Sequence, residues 1–355
     1  MSLILWILLS FVNQSAVQQE AEVVLPSVPC LEQYDEAEAS YKKIEIAFTS
    51  GEAPLAGQLY LPVSDGPHPL VVLLPGGGNN VEYLRNTPNF FAPRFAHCSL
   101  AALTFDKRGT GESGGDYATS TFDDFINDAG AAIRKMAARP DIDADQIGVV
   151  GFSQGGRLAP IVAVRSPQVA FVASVSGPLT SVEDTRYFAL ENAFRRSQVS
   201  DSVLARVMPL WRQHLDFVAA DDLVSLQRLD QVLAEMSNKV HPALLPPQSD
   251  RLPQTGIYNS MGLDFSTELA HLRVPWLSLY GEMDAVVPVQ KSLDILHERM
   301  ATSQHNNYSV IVVPGVSHSF VHPETHESVP FERFVFDWIL KQVEEVGGKS
   351  LNKTH

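Results

Sequence analysis

Ile147-Gly148-Val149-Val150-Gly151-Phe152-Ser153-Gln154-Gly155-Gly156 is an apolar run that ends in a Gly-x-Ser-x-Gly-Gly turn. The run has the composition of a strand buried on both faces, and the residues after it, with Leu158, Ile161 and Val162, read as a helix. A serine between such a strand and helix sits on a tight, strained turn with its hydroxyl exposed. Gly151 and Gly155, two before and two after it, let strand and helix approach without a side-chain clash. The N-terminus of the helix also favours negative charge developing beside the serine. A bare Gly-x-Ser-x-Gly is often only a glycine-rich turn with an idle serine. The strand before it and the second glycine after it argue for a nucleophile.

Working outward, the pattern repeats. Tyr41–Phe48 and Leu55–Leu61 read as strands around a turn at Ser50-Gly51. Leu70–Leu74, Leu100–Phe105, Phe171–Val175, Trp276–Tyr280 and Tyr308–Val313 are further apolar runs of strand length. A helix is predicted from Phe122 to about Ala138, with Thr121 as its cap and Asp123, Asp124 and Asp128 in its N-terminal half. A last helix is predicted from Phe331 to about Val346, with Phe331, Phe334, Trp338, Ile339 and Val343 on one face. Strands alternating with helices imply an open, mostly parallel sheet covered on both faces.

One stretch breaks the alternation. Between Pro178 and about His271, Val203, Val207, Leu210, Trp211 and Leu215 recur at helical spacing, as do Leu223, Leu226, Leu229 and Leu233. A proline-rich loop, His241–Pro253, follows. The stretch reads as a helical insertion leaving the sheet at the edge that carries Ser153. A lid is the expected role, against a plain surface elaboration. Some of Phe188, Phe194, Trp211 and Phe217 are expected to face inward as an apolar substrate wall.

The chemistry lies in loops at the ends of strands. A serine alcohol needs a base to become a nucleophile. The loop after Trp276–Tyr280 reads Gly281-Glu282-Met283-Asp284, and the loop after Tyr308–Val313 reads Pro314-Gly315-Val316-Ser317-His318. In the order nucleophile, acid, histidine, Ser153 is the candidate nucleophile, Asp284 the acid and His318 the base. Glu282 competes for the acid, and His322 and His326 for the base. The spacing of His318, His322 and His326 would suit a metal on a helix, but Pro323 interrupts it, so no metal is expected. An oxyanion needs two N–H donors. Gln154 follows the nucleophile, and Pro75-Gly76-Gly77-Gly78-Asn79 follows the Leu70–Leu74 strand. Gly77 is the favoured second donor and Gly78 the alternate. No Lys-Ser/Thr pair follows the glycines, which argues against a nucleotide site.

Composition sets the outer bounds. Apolar residues are 45% and charged residues 19% of 355, enough for a sizeable core. A net charge of −15 disfavours nucleic acid and anionic membrane as partners. Past residue 20 no apolar run is long enough to span a membrane. Leu3–Val12 is almost continuously apolar and the first charged side chain is Glu20, so residues 1–19 read as a secretory signal peptide, with an uncleaved anchor as the alternative. Secretion or a periplasmic address follows. There Cys30 and Cys98 could pair; two unpaired thiols are the plainer reading. The Asn307 and Asn352 glycosylation triplets decide nothing.

Taken together, the glycine loop 75–79, Asp106-Lys107-Arg108-Gly109-Thr110-Gly111-Glu112-Ser113, Asp141-Ile142-Asp143 and Gly151–Gly156 resemble the α/β-hydrolase fold serine hydrolases. The likeness is to the branch of the acyl-esterase, prolyl-oligopeptidase-like and dienelactone-hydrolase-like groups. Dienelactone hydrolases carry cysteine at the elbow, where this chain has Ser153. Oligopeptidases place a β-propeller ahead of the hydrolase domain, where this chain has a short arm. The resemblance implies an α/β-hydrolase core over 41–178 and 271–347, an N-terminal arm over 20–40 and a helical lid insertion over 179–270. In that family the Asp106–Ser113 loop is architectural, and Arg108 would brace loops. The expected function is hydrolysis of small to medium carboxylic esters through an acyl-enzyme, with no cofactor. The alternatives are an amidase or aminopeptidase and a non-catalytic binding relative. The expected partner is the small-molecule ester or amide substrate alone, and oligomeric state is not readable.

Overall fold

The computed structural model describes residues 23–351. The signal-like segment 1–19 and the Asn352 triplet lie outside them. A short helix, α1 (Pro29–Glu32), opens the arm, and β1 (Tyr41–Ser50) and β2 (Ala53–Pro62) then form a hairpin. The core continues as β3 (His68–Leu74), α2 (Val81–His97), β4 (Ala101–Phe105), α3 (Phe122–Ala137), β5 (Ile142–Phe152), α4 (Gln154–Arg165) and β6 (Val169–Val175). Helices α5 (Val182–Arg196), α6 (Asp201–Ala219), α7 (Leu223–Met236) and the short α8 (Ser266–Leu269) come next. The sheet resumes with β7 (Trp276–Gly281), α9 (Val289–Ser303) and β8 (Tyr308–Val313), and α10 (Glu332–Leu351) closes the described chain.

One eight-stranded sheet results, in the order β1-β2-β4-β3-β5-β6-β7-β8. The pairs β1·β2 and β2·β4 are antiparallel and every other pair is parallel. Because β3 lies between β4 and β5, the connections reverse direction there, the position at which open α/β sheets form a crevice at their C-terminal edge.

The period of two along a strand explains why the apolar runs are unbroken. In β3, Leu70, Val72 and Leu74 enter one core and Val71 and Leu73 the other. The first core is covered by α3 and α4, through Phe122, Ile126, Ile133, Leu158 and Ile161. The second is covered by α2 and α10, through Phe91, Phe95, Val335, Phe336 and Ile339. Helix α3 starts where predicted. The Thr121 hydroxyl accepts from the Asp124 N–H, and the Asp124 carboxylate accepts from the Thr121 N–H at 2.8 Å.

Two expectations change. Strand β5 starts at Ile142 rather than Ile147, so the Asp141-Ile142-Asp143 stretch feeds directly into it, with a register shift between its pairings to His68 and Leu70. Three of the four large apolar side chains considered for a substrate wall pack within the insertion itself. Trp211 packs with Leu204, Val207 and Met208 in a core between the insertion's own helices, Phe194 packs against that core, and Phe217 packs against Leu210, Leu229 and Leu233. The Trp211 indole also donates to the Leu244 carbonyl at 2.8 Å, so its one polar atom is used inside the insertion.

Cys30 and Cys98 are joined in a disulfide, which ties the arm to the residue that ends α2.

Candidate active site

Strands β3, β5, β6, β7 and β8 run parallel, so their C-terminal ends lie along one edge of the sheet. The sequence-predicted residues follow four of these ends, and that shared edge brings them together.

Ser153 is held at φ 51° and ψ −111°, a left-handed conformation that a side chain adopts only at some strain. Its N–H donates to the Val175 carbonyl at 2.8 Å and its carbonyl accepts from Arg157 at 3.0 Å, so both flanking elements fix the turn. The neighbouring glycines are required by close approach. A methyl on Gly151 would lie 2.1 Å from the Gly155 carbonyl oxygen, and one on Gly155 would lie 2.3 Å from the Leu74 carbonyl oxygen.

Ser153 Oγ lies 3.0 Å from His318 Nε2, and His318 Nδ1 lies 2.6 Å from Asp284 Oδ2. An ionised carboxylate only accepts, so Nδ1 carries the proton and Nε2 is left to accept from the serine. The second carboxylate oxygen, Oδ1, accepts the N–H groups of Val286 at 2.7 Å and Val287 at 2.8 Å. Asp284 is thereby fixed in orientation, with its side chain 0% exposed, while His318 is 22% exposed and open to solvent. The Ser176 hydroxyl, from the end of β6, donates to the His318 carbonyl at 3.0 Å and anchors that loop.

The competitors are placed elsewhere. Glu282 accepts the Gly315 N–H at 2.9 Å, so it braces the loop leading to His318 and does not meet the imidazole. His322 Nδ1 accepts the N–H groups of Glu324 and Thr325 within its own turn. His326 lies at φ 60° in an exposed turn. Among the described residues no group of three or more His, Cys, Asp or Glu gathers as a metal site.

The glycine loop lies beside the elbow. A methyl on Gly76 would sit 3.8 Å from Ser153 Cβ, and one on Gly77 would sit 3.9 Å from Gln154 Cβ. Burial pushes the pKa of the Tyr117 hydroxyl up, with the backbones of Gly78 and Gly256 opposing the shift.

Several contributors carry no local signal in the sequence. Ile257 reaches to within 3.8 Å of the position a methyl on Gly77 would take. The segment around it is pinned to the core, because Ser260 Oγ accepts the Phe122 N–H at 2.8 Å and Asn259 donates to the carbonyls of Ala118 and Ser120. Arg157, one turn past the elbow, donates to the Thr180 carbonyl and to Thr185 Oγ1, and so holds the start of α5. Burial lowers its pKa to about 10. Lys107 is buried, and its Nζ donates to the Gly76 carbonyl of the glycine loop.

An eight-stranded, mostly parallel sheet with helices on both faces and these loops at its C-terminal edge defines an α/β hydrolase. The chain belongs to the family described as serine aminopeptidase, S33, which matches residues 65–325. Among solved structures, a hypothetical protein from Pseudomonas aeruginosa is 18% identical, with a TM-score of 0.56 over 90% of this chain and 100% of that one. A Pyrococcus furiosus esterase is 16% identical, with a TM-score of 0.54 over 89% of this chain and 94% of that one. A proline iminopeptidase from Mycobacterium smegmatis is 20% identical, with a TM-score of 0.52 over 84% of this chain and 98% of that one. At such identities these likenesses speak for the fold. No curated protein matches the sequence.

Proposed function

We propose that the protein hydrolyses small to medium carboxylic esters through an acyl-enzyme intermediate. The observation that carries the proposal is the continuous relay from Ser153 Oγ through His318 to Asp284, at 3.0 and 2.6 Å, on a strained elbow. Ser153 Oγ adds to the ester carbonyl carbon while His318 Nε2 takes its proton, and Asp284 stabilises the imidazolium that forms. The carbonyl oxygen becomes an oxyanion held by the Gln154 and Gly77 N–H groups. Gly77 is preferred to Gly78 because a methyl on Gly77 would sit 3.9 Å from Gln154 Cβ, whereas one on Gly78 would meet nothing within 4 Å. As the intermediate collapses, the C–O bond to the alcohol breaks and the imidazolium gives that alcohol its proton. Water, deprotonated by the same imidazole, then releases the acid and regenerates Ser153. No step calls for a metal or cofactor, and a net charge of −15 disfavours nucleic acid as a partner.

An aminopeptidase or amidase is the second reading, favoured by the description of the family. The same relay would serve it, with the departing nitrogen protonated by His318. A panel of p-nitrophenyl esters from acetate to octanoate, run beside aminoacyl anilides, separates the two. Turnover of the esters with anilides slower by orders of magnitude supports the proposal. Anilide hydrolysis at comparable kcat/KM overturns it in favour of the peptidase, and hydrolysis of neither would leave a binding protein. Export to an oxidising compartment belongs to the same proposal, supported by the Cys30–Cys98 bond and the apolar run Leu3–Val12.

A further inference from the structure

Lys107 takes no part in the relay, yet it is 6% exposed. It follows the end of β4, and its side chain runs under the glycine loop toward α4. Its Nζ donates to the Gly76 carbonyl and to Oε1 of Gln154, and lies 5.2 Å from the centre of the Phe125 ring. Among the described residues no carboxylate pairs with it: Asp128 lines the same small cavity, but both its oxygens are taken by Arg108. Burial lowers the Lys107 pKa to about 7. An unpaired ammonium is costly to bury. The two acceptors it meets are therefore informative.

Both belong to the groups proposed to hold the oxyanion. The Gly76 carbonyl and the Gly77 N–H are the two ends of one planar, trans peptide unit and point in opposite directions. A grip on the carbonyl from below therefore sets the direction of the N–H above. Donation to that carbonyl also polarises the amide and makes its N–H a stronger donor. On the other side, Gln154 Nε2 is buried without an acceptor, so Oε1 on Lys107 is what holds this side chain. One lysine nitrogen, a donor whether or not it is protonated, thus ties together the loop that carries one donor and the residue that carries the other.

We propose that Lys107 is a positioning residue for the oxyanion hole, holding the Gly76–Gly77 peptide and Gln154 so that their N–H groups converge on the substrate oxygen. The proposal rests on the ester-hydrolase reading of the same site. It separates Lys107 from its motif neighbours: Arg108 joins α3 to β1, and Asp106 pairs with Arg85.

Lys107→Met keeps most of the side-chain volume and removes the donor, and Lys107→Arg keeps a donor. The readouts are kcat and KM on p-nitrophenyl butyrate, and the affinities for an alkyl trifluoromethyl ketone and for the matching alkyl methyl ketone. Ser153 adds to the trifluoromethyl ketone to form an oxyanion, whereas the methyl ketone binds as a ground-state mimic. Losing one oxyanion donor outright lowers kcat by about 10²–10³-fold, so losing its alignment should lower it by about 10- to 100-fold. Lys107→Met should show that loss in kcat and the same factor in trifluoromethyl ketone affinity. KM and methyl ketone affinity should stay within about two-fold, because the effect is confined to the transition state. Lys107→Arg should recover part of the loss.

Unchanged kcat in Lys107→Met would overturn the proposal. So would a loss shared equally by both ketones, which would mark a merely structural lysine. If Lys107→Met does not fold, Gln154→Met removes the same contact from the other side and keeps the backbone N–H. It should show the same selective loss in smaller measure, and its absence overturns the proposal. A wild-type protein that neither hydrolyses the ester nor forms the trifluoromethyl ketone adduct would instead remove the ester-hydrolase reading itself.

Discussion

His214 makes the insertion sensitive to acid. It lies on α6, 0% exposed, with its ring 5.8 Å from that of Trp211 and 6.2 Å from that of Tyr258. Among the described residues neither ring nitrogen has a hydrogen-bond partner, and burial favours the neutral ring. Burial lowers its pKa from 6.5 to about 4, with Asp230 opposing the shift weakly. The sign follows from proton uptake. Above about pH 6.5 the ring is neutral in both states, and between about pH 6.5 and 4 the unfolded chain binds a proton that the native state refuses. Stability therefore falls as the pH falls through that window. Lowering the pKa from 6.5 to about 4, at about 1.36 kcal/mol per pH step of one, amounts to about 3 kcal/mol by pH 4. The assay is equilibrium urea unfolding of wild type and His214→Phe across that range. Many carboxylates also titrate there, so the difference between the two proteins is what is read. Whatever offset Phe introduces at neutral pH, wild type should lose about 3 kcal/mol more than the variant on reaching pH 4. Parallel curves would refute the reasoning. Because Tyr258 adjoins Ile257 beside the glycine loop, loosening at His214 should also reach the site.

Two further outcomes follow from pairings outside the relay. Replacing Cys98 by Ala opens a loop with a sequence separation of 68, so the stability measured by urea unfolding should fall by as much as about 4 kcal/mol, with kcat at ambient temperature retained; unchanged stability would contradict this. Arg108→Met leaves the Asp128 carboxylate, 1% exposed, without its partner and should destabilise by about 3–5 kcal/mol in the same assay, whereas Arg108→Met/Asp128→Leu should recover most of the loss; a harmless single variant would contradict it.

Much of the fold was legible because a parallel sheet writes itself locally. Leu70–Leu74 is apolar at every position since each face meets a different core, and no alternation has to be detected. Ser153 was legible because the elbow packs strand, turn and helix into consecutive residues. Asp284 and His318 were legible as candidates because each follows an apolar run of strand length in the expected order. Helix α2 was less so. Pro88 and Pro93 lie inside it, and a proline removes a donor and usually ends a helix. The insertion shows why periodicity is incomplete information. The spacing of Val207 and Trp211 marks a buried face, but only the fold shows that its partners are the insertion's own helices. Lys107 is the clearest case. Its acceptors Gly76 and Gln154 lie 31 and 47 positions away in the chain, and no local pattern records that they meet.

The central claim is that Ser153 is the nucleophile of a hydrolase. Reaction with a fluorophosphonate, followed by peptide mapping of wild type and Ser153→Ala, tests it directly, because the reagent marks whichever serine a base has activated. The account predicts one adduct, on Ser153, none in the variant, and a fall in kcat on p-nitrophenyl esters of about 10⁴–10⁶-fold with the fold intact. An adduct on another serine, or a variant that keeps its turnover, would contradict it.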